Sequence, residues 1–344
     1  MALDKNKIKK ILVIKFGGIG DILLTTPVLP NLRAYFPNAV INFLSLSHSR
    51  DILDENPYIS RVLTYDPKED SSWCLIKNIR KQKYDLIIDL YGNPRTALIT
   101  YLSGAKYRFG FNFRGRQYAY NITREGRGGI VHNVQFNLDA LETLGIPVIS
   151  KELYIPINVV HRDFADEFFR ENNLYAKSAI GLTFTGGWEA KKYKQDDYVE
   201  LIKMLNALYD LNFILIWGNA NEKEEAEYIH SKVPHNTFII PDSPIRYLGA
   251  LIEKCALIIG NDSGPLHLAV AVGTPVLGIY GPTNPKLQGP FGEKNLTIVK
   301  EELDCLYCNL LDCPIGNICM TQLSKDLIID KINQLIDINK LQFN

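Results

Sequence analysis

The sequence has no excess of charge of either sign. Its 344 residues include 38 Lys and Arg against 38 Asp and Glu, which gives a formal net charge of zero. A neutral chain has no overall field that would draw it to nucleic acid, so we expect no nucleic-acid partner, and any attraction to an acidic partner must be local. Hydrophobic residues at 46% and charged residues at 22% exclude a largely disordered chain. The length exceeds what one core usually organises, which predicts two domains.

The sequence also lacks an apolar run long enough to cross a membrane. Its longest uncharged stretch, residues 266–285, is interrupted by glycines and prolines, and it therefore predicts a helix, a turn, a strand and a loop. Near the N-terminus, the apolar run Ile11–Ile14 is too short for the core of a signal peptide and stops at Lys15. We therefore expect a cytoplasmic protein without a transmembrane segment.

Cysteine is scarce, and most of it lies in one place. The C-terminal region holds four of the six cysteines with the spacing C-x2-C-x4-C-x5-C, namely Cys305, Cys308, Cys313 and Cys319. Such clustering excludes a disulfide framework spread over the chain. It predicts a cysteine-rich segment, 305–319, that shapes the C-terminal region and takes no part in catalysis. A structural zinc ion is one candidate for it, and an iron–sulfur site or four reduced thiols are the alternatives.

Short runs rich in Ile, Leu and Val alternate with helical patterns, which predicts parallel strands joined by helices. Ten runs are expected to be strands: Ile11–Phe16, Val40–Leu46, Val62–Tyr65, Asp85–Leu90, Lys106–Gly110, Ala179–Phe184, Phe213–Trp217, Thr237–Ile240, Ala256–Gly260 and Val276–Tyr280. The alternation pauses between Pro147 and Pro156. The prediction is an α/β protein with two doubly wound domains, 1–155 and 156–344, the second closed by a helix over Lys325–Leu341, with ligands in a cleft at the carboxyl ends of the strands.

The first predicted strand runs into a glycine turn with Gly17, Gly18 and Gly20, which would let a ligand approach the backbone. A dinucleotide site is disfavoured, because Leu23 stands where a third glycine would be needed and no acidic residue ends the second strand. The turn leads through Asp21 into a helix predicted over residues 21–35. This aspartate either caps the helix or presents an acid at the ligand edge.

Two segments of the second domain combine open backbone with a charged side chain. The loop after its first strand contains Gly186 and Gly187 followed by Lys191, which predicts either an anion site or a plain turn with solvated lysines. Further along, Glu222 follows a strand and starts a helix. It either caps that helix or binds ribose hydroxyls.

The segment 260–267, GNDSGPLH, predicts a strand end followed by the start of a helix. The free N–H groups and the positive dipole end of such a helix suit a phosphate group. Ser263 would add a hydroxyl donor. His267, one turn into the helix, either binds the ligand or is a satisfied structural residue.

Residues 105–130 concentrate positive charge in this neutral chain. They contain one lysine and five arginines against a single glutamate: Lys106, Arg108, Arg114, Arg116, Arg124 and Arg127. Because the planar guanidinium suits phosphate and carboxylate groups, the stretch predicts an anion-binding loop. The alternative is a solvated loop.

Together these segments resemble glycosyltransferase family 9, the heptosyltransferases that build the inner core of bacterial lipopolysaccharide. Four ordered motifs carry the resemblance over nearly the whole chain: residues 15–27, 191–193, 261–267 and 280–285. The resemblance implies a GT-B fold, with two Rossmann-like domains facing across a cleft, an acceptor-side N-terminal domain and a nucleotide-sugar-binding C-terminal domain. It also implies inverting transfer from ADP-L-glycero-D-manno-heptose without a catalytic cofactor.

The resemblance assigns roles to individual residues. The catalytic base falls on Asp21 and the donor-phosphate lysine on Lys191. Further donor-site positions fall on Glu222, Asp262, Ser263, Gly264, His267, Gly186 and Gly187. The acceptor side falls on the glycine turn and on Arg108, Arg114 and Arg116, which would bind an acidic lipopolysaccharide precursor at the cytoplasmic face of the inner membrane. In this sequence Tyr193 and Lys194 replace the usual Trp-Pro.

Two other function classes stay open at this stage. The first is a nucleotide-sugar epimerase on the same two-domain fold, which would convert the nucleotide sugar without an acceptor. The second is a non-catalytic module that binds a nucleotide sugar or a lipid without turnover.

Overall fold

The computed structural model describes residues 3–184 and 186–343. The chain forms two compact units, Met1–Pro156 (unit 1) and Ile157–Asn344 (unit 2), so the division lies one residue after the boundary expected from the sequence. Each unit contains one six-stranded parallel sheet with helices between the strands.

The strands of unit 1 lie in the order β3-β2-β1-β4-β5-β6. Their bounds are β1 Lys10–Ile14, β2 Val40–Leu46, β3 Arg61–Tyr65, β4 Leu86–Asp89, β5 Tyr107–Phe111 and β6 Ile122–Arg124. The chain moves outward from β1 to β3 and then returns to the other side of β1 with β4. In an open α/β sheet such a reversal opens a crevice at the carboxyl ends of the two strands, so the ends of β1 and β4 are where a ligand is expected.

Unit 2 repeats this topology with the order β12-β11-β10-β7-β8-β9. Its strands are β7 Ala179–Thr183, β8 Asn212–Ile216, β9 Thr237–Ile239, β10 Leu257–Asn261, β11 Val276–Ile279 and β12 Leu296–Ile298. The reversal falls between β7 and β10. The loop after β7 carries Lys191, and the loop after β10 carries the GNDSGPLH segment.

The helices cover both faces of the sheets. In unit 1 they are α1 Ile19–Leu23, α2 Val28–Tyr35, α3 Arg50–Leu53, α4 Ser72–Gln82, α5 Pro94–Leu102 and α6 Asn133–Thr143. In unit 2 they are α7 Val159–Glu171, α8 Gln195–Tyr209, α9 Ala220–Lys232, α10 Ile245–Lys254, α11 Gly264–Ala271, α12 Pro285–Gln288, α13 Ile318–Thr321 and α14 Lys325–Asn339. In the part of the chain that the structure describes, no helix is both long and apolar enough to cross a membrane.

The central strands are buried on both faces, which explains why their sequences are continuous apolar runs. In β1, residues 11–14 are all inaccessible to solvent, and in unit 2 residues 257–261 of β10 are all buried. The predicted C-terminal helix is observed as α14, which packs Ile328, Ile332 and Leu335 into the core of unit 2.

All ten predicted strands occur, but two short edge strands, β6 and β12, were missed. Each has three residues and too short a pattern to stand out, and each forms by pairing with an existing edge, β6 with β5 and β12 with β11. The prediction of one helix over residues 21–35 was wrong, because this segment forms two helices, α1 and α2. Pro27 has no N–H to continue the first helix, and the hydroxyls of Thr25 and Thr26 bond instead to nearby carbonyls.

Candidate active site

The glycine turn after β1 allows Asp21 to fold back over it. Gly17 has a φ of +138°, and a Cβ at this position would lie 2.6 Å from the Cβ of Asp21. The carbonyl oxygen of Gly17 accepts a hydrogen bond from the Ser49 hydroxyl at 3.2 Å, and Nε2 of His48 lies at the same distance. Only glycine fits the backbone and leaves room for the carboxylate, so the turn is built around Asp21.

Asp21 is the third residue of α1 and not its N-cap, because the helix begins at Ile19 with Gly18 as the cap. Its Oδ2 atom accepts the backbone N–H of Gly18 at 3.1 Å. The side chain is exposed, and within residues 3–184 and 186–343 no group donates to Oδ1. The carboxylate therefore stabilises the helix start with one oxygen and presents the other to solvent.

At the end of β4, Asp89 is a fully buried carboxylate that sequence analysis missed. Its Oδ1 atom accepts the backbone N–H groups of Tyr91 and Gly92 at 3.0 and 2.9 Å, and Oδ2 accepts the hydroxyl of Tyr120 at 2.8 Å. Burial raises the pKa of Asp89 above its ordinary value, and these hydrogen bonds oppose the shift. The one signal in the sequence is an acid that ends an otherwise apolar run.

Lys15, the residue after β1, lies close to both carboxylates. Its ammonium group donates to the carbonyl of Leu90 at 3.3 Å. Burial lowers the pKa of Lys15, and the negative charges of Asp21 and Asp89 oppose this shift. The carboxyl ends of β1 and β4 thus bring Lys15 into electrostatic interaction with two aspartates, the exposed Asp21 and the buried Asp89.

In unit 2, Asn261 ties the loops after β7 and β10 together. Its side-chain oxygen accepts from the backbone N–H of Tyr193 at 3.2 Å and from the hydroxyl of Tyr198 at 3.1 Å, and its amide donates to the carbonyl of Phe184 at 2.8 Å. Tyr193, which departs from the pattern of the resemblance, is a core residue whose ring packs edge-to-face on Tyr198. Burial raises the pKa of Tyr193 to about 12.

Lys191 and Asp262, which lie 71 residues apart in the sequence, form an ion pair beside the start of α11. The lysine Nζ lies 2.6 Å from Asp262 Oδ2, and the two side chains are only 11% and 7% exposed. The same oxygen accepts from the Thr283 hydroxyl at 2.7 Å and from the Gln288 amide at 3.3 Å. The ammonium group also lies 4.1 Å from the ring centroid of Trp188, in cation–π contact.

The structure thus places together two of the residues that the sequence singled out separately. It adds Thr283, Gln288 and Trp188, which sequence analysis did not assign. The signal for Thr283 was its place in the motif 280–285, for which no role was predicted. Thr283 and Gln288 hold Asp262, and Trp188 contacts Lys191, so the ion pair is fixed beside the start of α11.

The first turn of α11 follows this ion pair directly. Ser263 is the N-cap, and its hydroxyl donates to the carbonyl of Asn261 at 3.0 Å. Gly264 is the first helical residue, and His267 is buried in the helix with 5% exposure. A lysine ammonium group and the positive end of a helix dipole at the same place form a site for an anion such as a diphosphate.

Comparison with known proteins identifies the chain. The sequence model of glycosyltransferase family 9 (heptosyltransferase) matches residues 72–318, which is most of the chain. The chain belongs to glycosyltransferase family 9. The chain is therefore a glycosyltransferase, and the epimerase and binding-module alternatives fall away.

Individual relatives agree with this family. Lipopolysaccharide heptosyltransferase 3 of Escherichia coli is 27% identical over 287 residues, which cover 77% of this chain and 81% of the relative. The crystal structure of a family 9 glycosyltransferase from Veillonella parvula DSM 2008 has a TM-score of 0.80 at 22% identity and covers 95% of this chain and 97% of its own. The E. coli ADP-heptose LPS heptosyltransferase II has a TM-score of 0.76 at 20% identity, with 96% and 99% covered. The predicted GT-B fold class is confirmed.

In this glycosyltransferase the prediction that Glu222 caps its helix was wrong, because α9 begins at Ala220 with Asn219 as the N-cap and Glu222 is its third residue. Its Oε2 atom accepts the N–H of Gly218 at 2.8 Å, and the N-cap residue Asn219 accepts the N–H of Glu222 at 3.1 Å. Contact with a ribose stays a prediction. In the loop after β7, Gly187 has open space where a side chain would be, and a Cβ at Gly186 would lie 3.1 Å from the Cγ atom of Lys192.

The arginine-rich loop divides into structural and solvent-facing residues. The Arg108 guanidinium donates to the carbonyls of Ala105 and Ala119 at 2.7 and 2.9 Å, so it braces the loop. Arg114 is exposed and Arg116 is half-buried. Among the described residues, no hydrogen bond or ion pair holds either of these two side chains. Of the three arginines predicted to bind the acceptor, these two have guanidinium groups that are not engaged.

Arg127 forms a structural ion pair with Asp139 of α6. Burial raises the pKa of Asp139, but hydrogen bonds from Arg127 and Gln135 hold it below the ordinary value. Because the pKa of this carboxyl is lower in the folded chain than in the unfolded chain, where it is near 4, its ionised form stabilises the fold at neutral pH. That stabilisation is lost as the pH falls through the pKa of the folded chain. We therefore expect Asp139→Asn to lower the urea midpoint more at pH 7 than at pH 3. An equal loss at both pH values would contradict this assignment.

The four clustered cysteines differ in environment. Cys305 and Cys308 are exposed, Cys313 is half-buried and Cys319 is buried in the core of unit 2, where burial raises the pKa of its thiol to about 11. Within the described ranges, no group of three or more His, Cys, Asp or Glu side chains is arranged to hold a metal ion. The predicted structural zinc site is therefore not shown.

Proposed function

We propose that this glycosyltransferase transfers heptose from ADP-L-glycero-D-manno-heptose to the inner core of lipopolysaccharide, with inversion at the anomeric carbon and with Asp21 as general base. Unit 2 would bind the nucleotide sugar and unit 1 the acceptor. The observation that carries the proposal is the Lys191–Asp262 pair at the start of α11, a prepared anion site in a family 9 chain. The names of two relatives, a lipopolysaccharide heptosyltransferase and an ADP-heptose LPS heptosyltransferase, support the substrates.

The donor's diphosphate is placed at the anion site of unit 2. There a phosphate oxygen would replace Asp262 as the partner of the Lys191 ammonium group. The diphosphate would also accept hydrogen bonds from the backbone N–H groups of Ser263 and Gly264. His267 lies one turn further, Glu222 is assigned to the ribose, and Gly186 and Gly187 leave the backbone open beside the phosphates. As the bond from the anomeric carbon to the phosphate oxygen breaks, the electron pair leaves with ADP. A fixed cation and a helix dipole would stabilise that growing negative charge.

The proton of the acceptor hydroxyl goes to Asp21. The free Oδ1 atom would accept it as the hydroxyl oxygen attacks the anomeric carbon on the face opposite to the departing diphosphate, which inverts the configuration. Oδ2 stays bonded to the N–H of Gly18, which holds the carboxylate in one orientation. The glycines at 17, 18 and 20 keep side chains away from the approaching acceptor. No catalytic cofactor enters this scheme.

The acceptor would be an acidic, lipid-linked precursor that carries phosphate and carboxylate groups. Arg114 and Arg116 are the residues proposed to bind it, because among the described residues no hydrogen bond or ion pair holds their guanidinium groups, in a loop that Arg108 braces. A lipid-linked acceptor implies peripheral contact of this enzyme with the cytoplasmic face of the inner membrane.

The divided role of the arginines is testable. We expect the double variant Arg114→Ala/Arg116→Ala to raise KM for the acceptor at least about tenfold, since each charge-assisted hydrogen bond is worth roughly 1.5–3 kcal/mol. Donor affinity and melting temperature should stay at the wild-type values. Arg108→Ala should instead lower the melting temperature. Unchanged acceptor KM in the double variant would remove both residues from the proposal.

The donor class can be tested by thermal shift with ADP, UDP, GDP and NAD at equal concentrations. A nucleotide that binds only the folded chain raises its melting temperature by mass action. We expect the largest rise with ADP. A larger rise with another nucleotide would mean that the donor assignment is wrong.

A further inference from the structure

The outer side of α4 in unit 1 carries an exposed tryptophan on a helix that has only basic charges. Trp73 is 64% exposed, whereas the two other tryptophans of the chain, Trp188 and Trp217, are half-buried. From Ser72 to Lys83 the sequence has four basic residues and no acidic one. We use the term α4 surface for the four residues Trp73, Lys77, Arg80 and Lys81.

Helical spacing places the residues of the α4 surface together. Positions i, i+4, i+7 and i+8 share one side of a helix, and all four side chains are exposed. The opposite side holds Ile76 and Ile79, which are 5% and 1% exposed and pack into the core of unit 1. Arg80 donates to the carbonyl of Leu102 at 3.0 Å, so its guanidinium group is held at the surface with its charge still exposed.

Three acidic residues, Asp66, Glu69 and Asp70, lie in the turn before α4. Asp85 follows three residues after the helix, and its carboxylate accepts the backbone N–H groups of Lys9 and Lys10 at 2.9 Å. The carboxylate of Asp66 accepts the N–H of Lys68 at 2.8 Å, and that of Asp70 accepts the N–H of Asp66 at 2.7 Å. These carboxylates stabilise the turn at the N-terminal end of the helix. The basic residues follow along the helix toward its C-terminal end, and none of them forms an ion pair among the described residues.

The α4 surface begins at the edge of the sheet where Asp21 lies. The hydroxyl of Ser72, next to Trp73, is 2.7 Å from the hydroxyl of Tyr65 at the end of β3. The Tyr65 ring stacks on Phe16 with 6.0 Å between the centroids, and Phe16 adjoins the glycine turn that carries Asp21. A flat partner that contacts Trp73 would therefore lie near the carboxyl edge of the unit 1 sheet.

We propose that the α4 surface docks on an anionic lipid bilayer, with the Trp73 ring at the headgroup level and Lys77, Arg80 and Lys81 against lipid phosphates. Tryptophan is enriched at membrane interfaces because it joins an apolar ring to a polar N–H, and basic residues attract anionic lipid. The choice of a bilayer as the partner rests on the proposed function, because a lipid-linked acceptor would be presented there. Docking would then bring Asp21 near the acceptor sugar.

Vesicle co-sedimentation tests the proposal without any substrate. We expect the full chain to bind vesicles of phosphatidylcholine with about one quarter phosphatidylglycerol at low salt, and to bind pure phosphatidylcholine weakly. Trp73→Ala and Lys77→Gln/Lys81→Gln should each lower the bound fraction at least about fivefold. The matched control Lys203→Gln/Lys294→Gln removes two exposed lysines from unit 2 and should bind like the wild type.

A cooperative melting transition, measured for every variant with and without ADP, shows whether each still folds. Binding of the Lys77→Gln/Lys81→Gln variant at the wild-type level would overturn the docking proposal, as would a wild-type chain that ignores anionic vesicles. The proposal would also be overturned if sedimentation velocity showed a wild-type dimer that the Trp73→Ala substitution dissociates, because the α4 surface would then contact a second copy of the chain. Vesicle binding as expected with no ADP shift would contradict the proposed function alone.

Discussion

Asp21→Asn is expected to lower kcat by about 10²–10⁴-fold, roughly 3–5 kcal/mol of barrier, while the affinity for ADP-sugar and the melting temperature stay near the wild-type values. The amide keeps an oxygen that can accept the N–H of Gly18, so the helix start should persist. It cannot take up the proton of an acceptor hydroxyl. Steady-state turnover and thermal melting of the purified variant measure both sides of this expectation.

Two further variants separate catalysis from helix capping. Asp21→Ala removes both functions, so it should lose turnover and also melt at a lower temperature. Asp51→Asn, a matched change at an exposed aspartate in the first turn of α3, should keep the wild-type kcat. If Asp21 only capped the helix, the asparagine variant would be close to fully active, and such activity would remove Asp21 from the mechanism.

Lys191→Met is expected to weaken ADP-sugar binding by about 10–100-fold and to lower kcat as well, because the lost cation faces the phosphates in the ground state and in the transition state. The matched control is Lys192→Met. That lysine is paired with Glu225 at 2.8 Å and should leave donor affinity unchanged. Isothermal titration with ADP and steady-state kinetics give the two quantities.

The same substitution should also destabilise unit 2. Asp262 would keep only the hydrogen bonds from Thr283 and Gln288, and an uncompensated buried charge typically costs about 3–5 kcal/mol. The double variant Lys191→Met/Asp262→Asn removes that charge, so it should recover melting temperature without recovering donor affinity. Recovery of both would mean that Lys191 serves the fold and not the donor.

Much of the fold could be predicted because both sheets are parallel and buried on both faces. Burial on both faces makes strands such as β1 and β10 continuous apolar runs that stand out between helical patterns. The short edge strands β6 and β12 did not stand out, because they form by pairing with a neighbouring strand and their composition does not mark them as strands. The break between α1 and α2 depends on Pro27 and on local hydrogen bonds of two threonine side chains, which periodicity does not register.

The candidate site was predicted in pieces. Lys191 and Asp262 were each assigned from local motifs, yet their pairing depends on β7 and β10 being neighbours, which only the sheet order reveals. Thr283 reaches Asp262 because it follows β11, the other neighbour of β10. The sequence also could not separate the arginines by role. Arg108 and Arg114 look alike in the sequence, and only the backbone carbonyls that surround Arg108 show that it braces the loop.

The most direct test of the central claim is ADP release by the purified chain supplied with ADP-L-glycero-D-manno-heptose, measured with and without a lipopolysaccharide-precursor acceptor. We predict that the wild-type protein releases ADP only when the acceptor is present, one molecule for each heptose transferred, and that Asp21→Asn releases almost none. Consumption of the donor without an acceptor, to give an isomeric nucleotide sugar, or tight ADP binding with no acceptor-dependent release would contradict the account.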